Sequence, residues 1–346
     1  MEIRIINTYT KKKSINPGLQ ILRMMLSLWI VVIHCCKVNN YYFKRILSLQ
    51  YHIPTFLIMS FYFFYNSLLN RNINKIKQRF ERLLIPYIMW PIILFILDNI
   101  LYRCFSFSRF NRKLLLNELL LQLLFGITIH PIFWFQFDLI FFTFFFSIIS
   151  FIFKSYFLFI VHILMIISYI MQYSHIIYFF FLKFKKKHNR YMGSLIDILP
   201  YTVTGLSLCS FNLINKFKIK RFRVILFNLI IIYIITKYNI FNKPKGFRYP
   251  GIEKNIGGIC IFITFSIIPF DKIKNKYILS LIAFITNYTG GIYYIHDILR
   301  DYLNKRIIII KYKTILGGFL IYLVSYLICF LGKILFGETK LKNLFF

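Results

Sequence analysis

The stretch that decides the fold is Gly18 to Cys36, GLQILRMMLSLWIVVIHCC, a mainly apolar run that carries two ionisable side chains, Arg23 and His34. A bilayer core about 30 Å thick is crossed by roughly 20 helical residues, so the run predicts a membrane-spanning helix. The interval between Arg23 and His34 is about three helical turns, which places them on one face, roughly 16 Å apart along the axis. Ionisable side chains inside a span usually mark a functional site.

The alternative is that both side chains only anchor the helix by reaching the opposite membrane surfaces. Arg23 could do so, because it lies near the start of the run and has a long flexible stem. The short imidazole of His34 is poorly suited to this role. The sequence therefore favours a functional role for the pair over simple anchoring.

Composition predicts an integral membrane protein. The chain of 346 residues is 58% hydrophobic, with 42 Phe and 25 Tyr, whereas soluble domains are about 45–50% apolar. The net charge is +33, but the basic residues fall mostly in short loops between apolar runs, and no nucleic-acid-binding motif is present. We therefore expect contact with membrane lipids or a phosphate-bearing cofactor, and no nucleic acid.

Apolar runs of spanning length predict an all-α polytopic membrane protein, a bundle of about ten transmembrane helices. The runs are at about 19–36, 52–70, 84–102, 132–153, 156–174, 192–210, 222–241, 256–270, 277–296 and 315–336. A further run, Leu114 to Gly126, is too short to cross and predicts an interfacial or re-entrant helix. No repeat or linker interrupts the pattern, so residues 1–346 are predicted to form a single integral-membrane domain.

The sequence gives only a weak signal for the orientation of the chain in the membrane. Basic residues divide almost equally between the two predicted sides, so the positive-inside rule does not decide which side is cytoplasmic. The basic cluster Lys11 to Lys13, which precedes the first span, favours a cytoplasmic N-terminus.

Two further cations precede the third span. Arg79 and Arg82 are three residues apart and therefore neighbours on one helix face. Two guanidinium groups so placed could bind a phosphate through paired hydrogen bonds. The alternative is a solvated basic cluster that contacts lipid headgroups.

Three carboxylates lie within predicted spans. Asp98, Asp138 and Asp197 must be paired or protonated there, because an isolated charge in an apolar layer is costly. Each could orient His34 or Arg23, and the sequence does not choose between them.

Three more histidines lie in predicted spans, and the first of them, His52, begins the second run. His162 could equally be an interhelical hydrogen-bonding group or a catalyst, whereas His296 closes the ninth run beside Asp297. No zinc-protease, serine-hydrolase or phosphate-loop motif is present, and the scattered histidines form no metal-binding set. We therefore expect no metal.

These residues resemble the signatures of the acyltransferase-3 family of polytopic membrane O-acyltransferases. Arg23 and His34 match its R-x10-H signature in the first span, and Arg79 with Arg82 match its RxxR signature. The surrounding sequence agrees in order and spacing through four further pieces: PTF at 54–56, LLIPYIMW at 83–90, FWF at 133–135 and GIYYIH at 291–296.

The resemblance implies transfer of an acyl group, usually acetyl, from cytoplasmic acyl-CoA to a carbohydrate hydroxyl. It implies that His34 is catalytic and that Arg23, Arg79 and Arg82 engage the acyl-CoA or shape its channel, with Asp98, Asp138 and His296 as supporting candidates. Acetyl-CoA would be the donor. The acceptor would be a surface polysaccharide or its lipid-linked precursor at a bacterial inner membrane. Whether His34 acts as a base or carries the acyl group stays open.

Two other classes remain as alternatives. A polysaccharide flippase or polymerase would use basic loops to hold lipid-linked sugars. A transporter should show broken helices or internal pseudo-repeats, and neither is visible in the sequence. The second alternative is a structural membrane protein with incidental buried charges.

Overall fold

The computed structural model describes residues 16–35, 51–105, 115–125, 133–173, 190–238, 252–270, 275–303 and 315–337. These residues form thirteen α-helices and a 3-10 turn at Lys154–Tyr156, with no strand in these ranges. The helices are α1 (Pro17–Cys35), α2 (His52–Leu69), α3 (Ile73–Phe105), α4 (Leu116–Phe125), α5 (Phe133–Ile152), α6 (Phe157–Tyr173), α7 (Arg190–Ser210), α8 (Leu213–Ile219), α9 (Arg221–Tyr238), α10 (Ile252–Ile267), α11 (Lys276–Thr286), α12 (Thr289–Leu303) and α13 (Ile315–Phe336). The predicted all-α class is confirmed. The basic cluster Lys11 to Lys13 lies outside the described residues.

Several helices are suited to a membrane, and the chain is an integral membrane protein. Five described helical segments are long and apolar enough to cross a bilayer: Pro17–Cys35, Ile73–Ile100, Phe133–Ile152, Lys154–Met171 and Ile315–Phe336. The predicted number of about ten spans is not confirmed. The runs predicted at 52–70, 192–210, 222–241 and 256–270 form α2, α7, α9 and α10, which do not meet the same test. The helix α10 is too short to meet the test, because it has 16 residues and is only about 24 Å long at 1.5 Å per residue.

The predicted ninth span, 277–296, is wrong as a single helix. It consists of α11 and α12, which are bent by 54° at a short break. The ring of Tyr288 is fully buried at this break, with its centroid 5.2 Å from that of Tyr326 on α13. The bend therefore redirects α12, the helix that carries His296.

The first helix connects two hydrophobic cores. Its first half contributes Leu19, Leu22 and Leu26 to a core shared with α2, α5, α6, α7 and α10. Its second half contributes Val31 and Cys35 to a core shared with α3, α5, α12 and α13. Because α1 packs against α2 and α10 to α13, the side chains of its opposite ends enter different parts of the bundle.

The third helix is longer than the predicted span at 84–102. It runs unbroken through the RxxR signature and contains Pro86 and Pro91. Pro86 has no N–H to donate to the Arg82 carbonyl four residues earlier, so one backbone hydrogen bond is missing at this point of the helix. The side-chain amide of Gln136 on α5 donates to the Leu83 carbonyl near Pro86, which ties α3 to α5 at this point.

The short helix predicted within 114–126 is present as α4. Tyr87 on α3 donates its hydroxyl proton toward the carbonyl oxygens of Gln122 and Leu123, at 3.1 and 2.9 Å. These contacts occupy carbonyls at the end of α4, where no further helical turn can use them.

Small residues allow two close helix contacts. Gly205 on α7 lies against the backbone of Ile58 on α2, and Gly18 on α1 lies against the backbone of Phe265 on α10. Neither position has room for a Cβ atom, so larger residues there would separate the helices.

Candidate active site

The first and twelfth helices meet at two histidines. His34 Nδ1 lies 3.1 Å from His296 Nε2, and the two ring centroids are 5.1 Å apart. The other ring nitrogen of His296, Nδ1, lies 3.0 Å from the carbonyl oxygen of Ile292, one turn earlier on α12. His296 is fully buried, whereas the His34 side chain is 33% exposed. His34 is therefore the accessible member of the pair.

An ion pair on α12 supports this contact. Arg300 Nη2 lies 2.6 Å from Asp297 Oδ1, and the same oxygen lies 3.9 Å from His34 Nδ1. Arg300 Nη1 also donates to the backbone carbonyl of His34 at 3.5 Å. A cation at the C-terminal end of a helix is favourable, because the last carbonyls are partly negative. Arg300 thus ties the end of α1 to α12.

Three of these side chains are close enough to be considered as metal ligands. One ligand atom each of His34, His296 and Asp297 lies within 4.8 Å of the others. Asp297, however, already pairs with Arg300, so a metal ion there would lie close to a guanidinium charge. We assign no metal to the cluster, and the absence of a metal from the reaction stays a prediction.

Two sequence motifs pack against each other beside His296. Phe133 of FWF stacks on Tyr294 of GIYYIH, with ring centroids 5.8 Å apart, and Phe135 lies 5.8 Å from Tyr293. Tyr293 in turn lies 6.0 Å from His296. Aromatic contacts of this kind add roughly 0.5–1.5 kcal/mol each beyond area burial. They hold α12 against α5 and fix the position of His296.

A third histidine lies near the same end of α1. His52 begins α2, is buried, and lies 6.2 Å from the Trp29 ring between centroids. It interacts electrostatically with His34 and with Lys254 of α10. Polar groups from α1, α2, α10 and α12 are therefore gathered at this end.

The other end of α1 carries a cation with a different environment. Arg23 is partly buried, and its side chain makes no hydrogen bond or ion pair with any residue in the described part of the chain. The exposed Arg82 of α3 acts on it electrostatically as a like charge. Two neighbouring cations inside a membrane protein favour an anionic ligand.

The two arginines of the RxxR signature do not share one environment. Arg79 Nε donates to Thr143 Oγ1 of α5 at 3.0 Å, and its Nη2 donates to Ser60 Oγ of α2 at 2.9 Å. Its guanidinium also lies over the Phe64 ring, 4.4 Å from the centroid. Arg79 therefore joins three helices, whereas Arg82 is exposed. The two side chains thus differ in their surroundings, and their joint binding of a phosphate stays a prediction.

The remaining predicted residues lie elsewhere in the bundle. Asp98 on α3 and Asp138 on α5 are buried, and Asp138 lies near Tyr87. That either one orients His34 or Arg23 stays a prediction. His162 Nε2 lies 3.1 Å from Ser210 Oγ of α7, which is an interhelical hydrogen bond.

Sequence reasoning missed the roles of Asp297 and Arg300. Both follow His296 on α12, and a carboxylate three residues before an arginine on a helix is the spacing of a local ion pair. That spacing was visible in the sequence. Its connection to His34 was not, because it depends on how α1 and α12 pack.

Comparison with known proteins identifies the family. The acyltransferase-3 family, described as an acyltransferase domain, matches residues 16–334, nearly the whole chain. No curated protein and no solved structure matches the chain. The matched range contains the R-x10-H, RxxR and GIYYIH motifs, and the histidines of the first and last of these are in contact here. The chain therefore belongs to the acyltransferase-3 family and is a membrane acyltransferase that transfers groups other than aminoacyl groups.

Proposed function

We propose that this acyltransferase moves an acyl group, with acetyl as the expected group, from acyl-CoA to a hydroxyl of a surface polysaccharide or its lipid-linked precursor. The observation that carries the proposal is the difference between the side chains at the two ends of α1. One end holds His34 in a network of polar partners, and the other holds Arg23 beside a second cation. An acyl-CoA needs both, because it is anionic at its phosphates and neutral at its thioester.

In the proposed reaction His34 is the general base. It accepts the proton of the acceptor hydroxyl while the oxygen attacks the thioester carbonyl carbon. The C–O bond of the ester forms, the C–S bond breaks, and the proton passes from His34 to the departing CoA sulfur. The imidazolium that exists between these steps lies 3.9 Å from Asp297 Oδ1, a distance at which a carboxylate stabilises it electrostatically.

The donor would be held mainly by Arg23 and Arg82. Their charges complement the CoA phosphates, and the pantetheine arm separates those phosphates from the thioester, as the length of α1 separates Arg23 from His34. Arg79 would act differently, by holding α2, α3 and α5 around the donor channel through Ser60 and Thr143.

This assignment requires the Arg23 end of α1 to face the cytoplasm, where acyl-CoA is made, in a bacterial inner membrane. The turn between α2 and α3 would then be cytoplasmic as well. A cysteine placed at Asn74, which is exposed on the first turn of α3, should react with an impermeant maleimide only in opened cells. Labelling from outside intact cells would overturn the orientation.

Mass spectrometry of surface glycans tests the function directly. Cells that lack the gene should lose one acetyl mass on a glycan unit, and the wild-type gene should restore it while the His34→Ala gene should not. Loss of whole polymer would instead support the flippase or polymerase, the alternative that the break between α11 and α12 favours. Unchanged glycans would reject a surface polysaccharide as acceptor.

A further inference from the structure

We propose that His296 is a positioning residue that fixes the tautomer of His34, so that Nδ1 of His34 carries the proton and Nε2 is the atom that acts as base. This inference rests on the proposed function of His34. It assigns one nitrogen to the chemistry and gives a reason for the histidine at the end of GIYYIH.

His296 carries its ring proton on Nδ1. A backbone carbonyl only accepts hydrogen bonds, so the 3.0 Å contact with Ile292 requires His296 Nδ1 to be the donor. A neutral imidazole carries one ring proton, which leaves the lone pair on Nε2. The neutral form is favoured here because His296 is fully buried, and burial penalises the charged imidazolium.

His34 in turn carries its ring proton on Nδ1. The lone pair of His296 Nε2 lies 3.1 Å from His34 Nδ1, so Nδ1 must donate its proton. The carboxylate of Asp297 approaches the same nitrogen at 3.9 Å and can also only accept. At 3.9 Å the carboxylate makes no hydrogen bond, so it favours the Nδ1-protonated tautomer only electrostatically, whereas His296 requires it. The basic lone pair of His34 is left on Nε2.

The bond between His34 and His296 would strengthen during the proposed proton transfer. When Nε2 takes a proton from the acceptor, the bond from Nδ1 to His296 becomes charge-assisted and stronger. Without an acceptor at the position of His296 Nε2, the other tautomer of His34 becomes accessible and its ring can turn. Loss of the partner that orients a metal-binding histidine typically costs about 10- to 100-fold, and we expect a loss of the same order here.

Nuclear magnetic resonance of the protein in lipid bilayers reads the tautomer without any assay of activity. The protein would be labelled with carbon-13 and nitrogen-15 histidine, and His34 assigned by the signal lost in His34→Gln. We expect the His34 shifts of the Nδ1-protonated form in wild type and a mixture of forms in His296→Leu. The Nε2-protonated form in the wild type would overturn the inference, whether or not His34 is catalytic.

Kinetics with two substitutions then separate positioning from packing. The side-chain carbonyl of His296→Gln can accept from His34 Nδ1 where Nε2 did, so kcat should stay within about tenfold of wild type. His296→Leu fills similar space without an acceptor, and its kcat should fall about 10- to 100-fold with an unchanged KM for acyl-CoA. His162→Leu, which removes the other interhelical histidine contact, is the control and should keep its activity.

Two outcomes would count against the inference. Equal losses of kcat in His296→Gln and His296→Leu, or an unchanged kcat in both, would show that the acceptor atom does not matter. An active His34→Ala with Nδ1-protonated His34 in the wild type would instead reject the base while leaving the tautomer assignment standing. The failure of one claim is thus distinguishable from the failure of the other.

Discussion

The two ends of α1 differ in how their ionisable side chains are partnered. At the C-terminal end, His34 contacts His296, and Asp297 joins it to Arg300. At the N-terminal end, Arg23 has a like charge nearby, without a hydrogen bond or ion pair to the residues that the structure describes. Both ends belong to one helix, so the difference lies in what surrounds them.

The comparison indicates which end is prepared for chemistry and which for a ligand. A base needs a fixed tautomer and orientation before substrate arrives, and those are properties that its own neighbours can supply. A binding cation can instead take its partner from the ligand. Substitutions at the His34 end should accordingly lower kcat, whereas substitutions at the Arg23 end should weaken binding of the donor.

Replacement of His34 should have the largest effect. In His34→Ala we expect acetyl transfer in isolated membranes to fall about 10²- to 10⁴-fold, the usual contribution of a general base, with near-normal inserted protein. His162→Ala, which removes a histidine hydrogen-bonded to Ser210, is the matched control and should remain active. Activity of His34→Ala within about tenfold of wild type would remove His34 from the mechanism.

Arg23→Lys tests whether shape matters as well as charge. Lysine keeps the charge and the long stem but loses the planar, multi-donor group. Charge-assisted hydrogen bonds are worth about 1.5–3 kcal/mol, so kcat/KM per inserted protein should fall at least about tenfold. A near wild-type value would leave Arg23 as an anchor at the membrane surface.

A smaller effect is expected from Arg82→Gln. An exposed contact with a phosphate contributes up to about 1 kcal/mol, so KM for acyl-CoA should rise about fivefold while kcat stays nearly constant. Lys77→Gln, which changes an exposed cation on the same helix, serves as the control for overall charge. A fall in kcat without a rise in KM would place Arg82 outside the donor site.

Arg79→Lys should mainly affect stability. It removes hydrogen bonds to Ser60 and Thr143, so the thermal unfolding midpoint should drop by about 2–4 °C. Activity per folded protein should change by less than about twofold. A rise in KM for acyl-CoA like that of Arg82→Gln would instead indicate that both arginines contact the donor, as the RxxR spacing predicted.

Local features of the fold could be predicted from sequence, whereas the number of spans could not. The helix at Pro17–Cys35 and the shared face of Arg23 and His34 follow from apolar length and helical periodicity. The break in the ninth run was not predicted, although Asn287, Gly290 and Gly291 are weak helix formers close to it. The rest of the run is apolar enough to predict one continuous span, so these three residues did not predict a break.

The site shows the same division between local and long-range information. The RxxR spacing is local, but the different environments of Arg79 and Arg82 depend on Ser60 and Thr143, which lie on two other helices. The contact of His34 with His296 joins positions 262 residues apart. No periodicity encodes such a contact, so His296 could be named as a candidate but its partner could not be chosen.

Equilibrium binding of a non-reactive thioether analogue of acetyl-CoA tests the central claim, that α1 separates chemistry from donor binding. The measurement compares purified wild type, His34→Ala and Arg23→Gln in lipid nanodiscs. We predict that His34→Ala binds the analogue within about twofold of wild type and that Arg23→Gln binds it at least about tenfold more weakly, a loss of about 1.4 kcal/mol. Loss of binding in His34→Ala with full binding in Arg23→Gln would contradict the account.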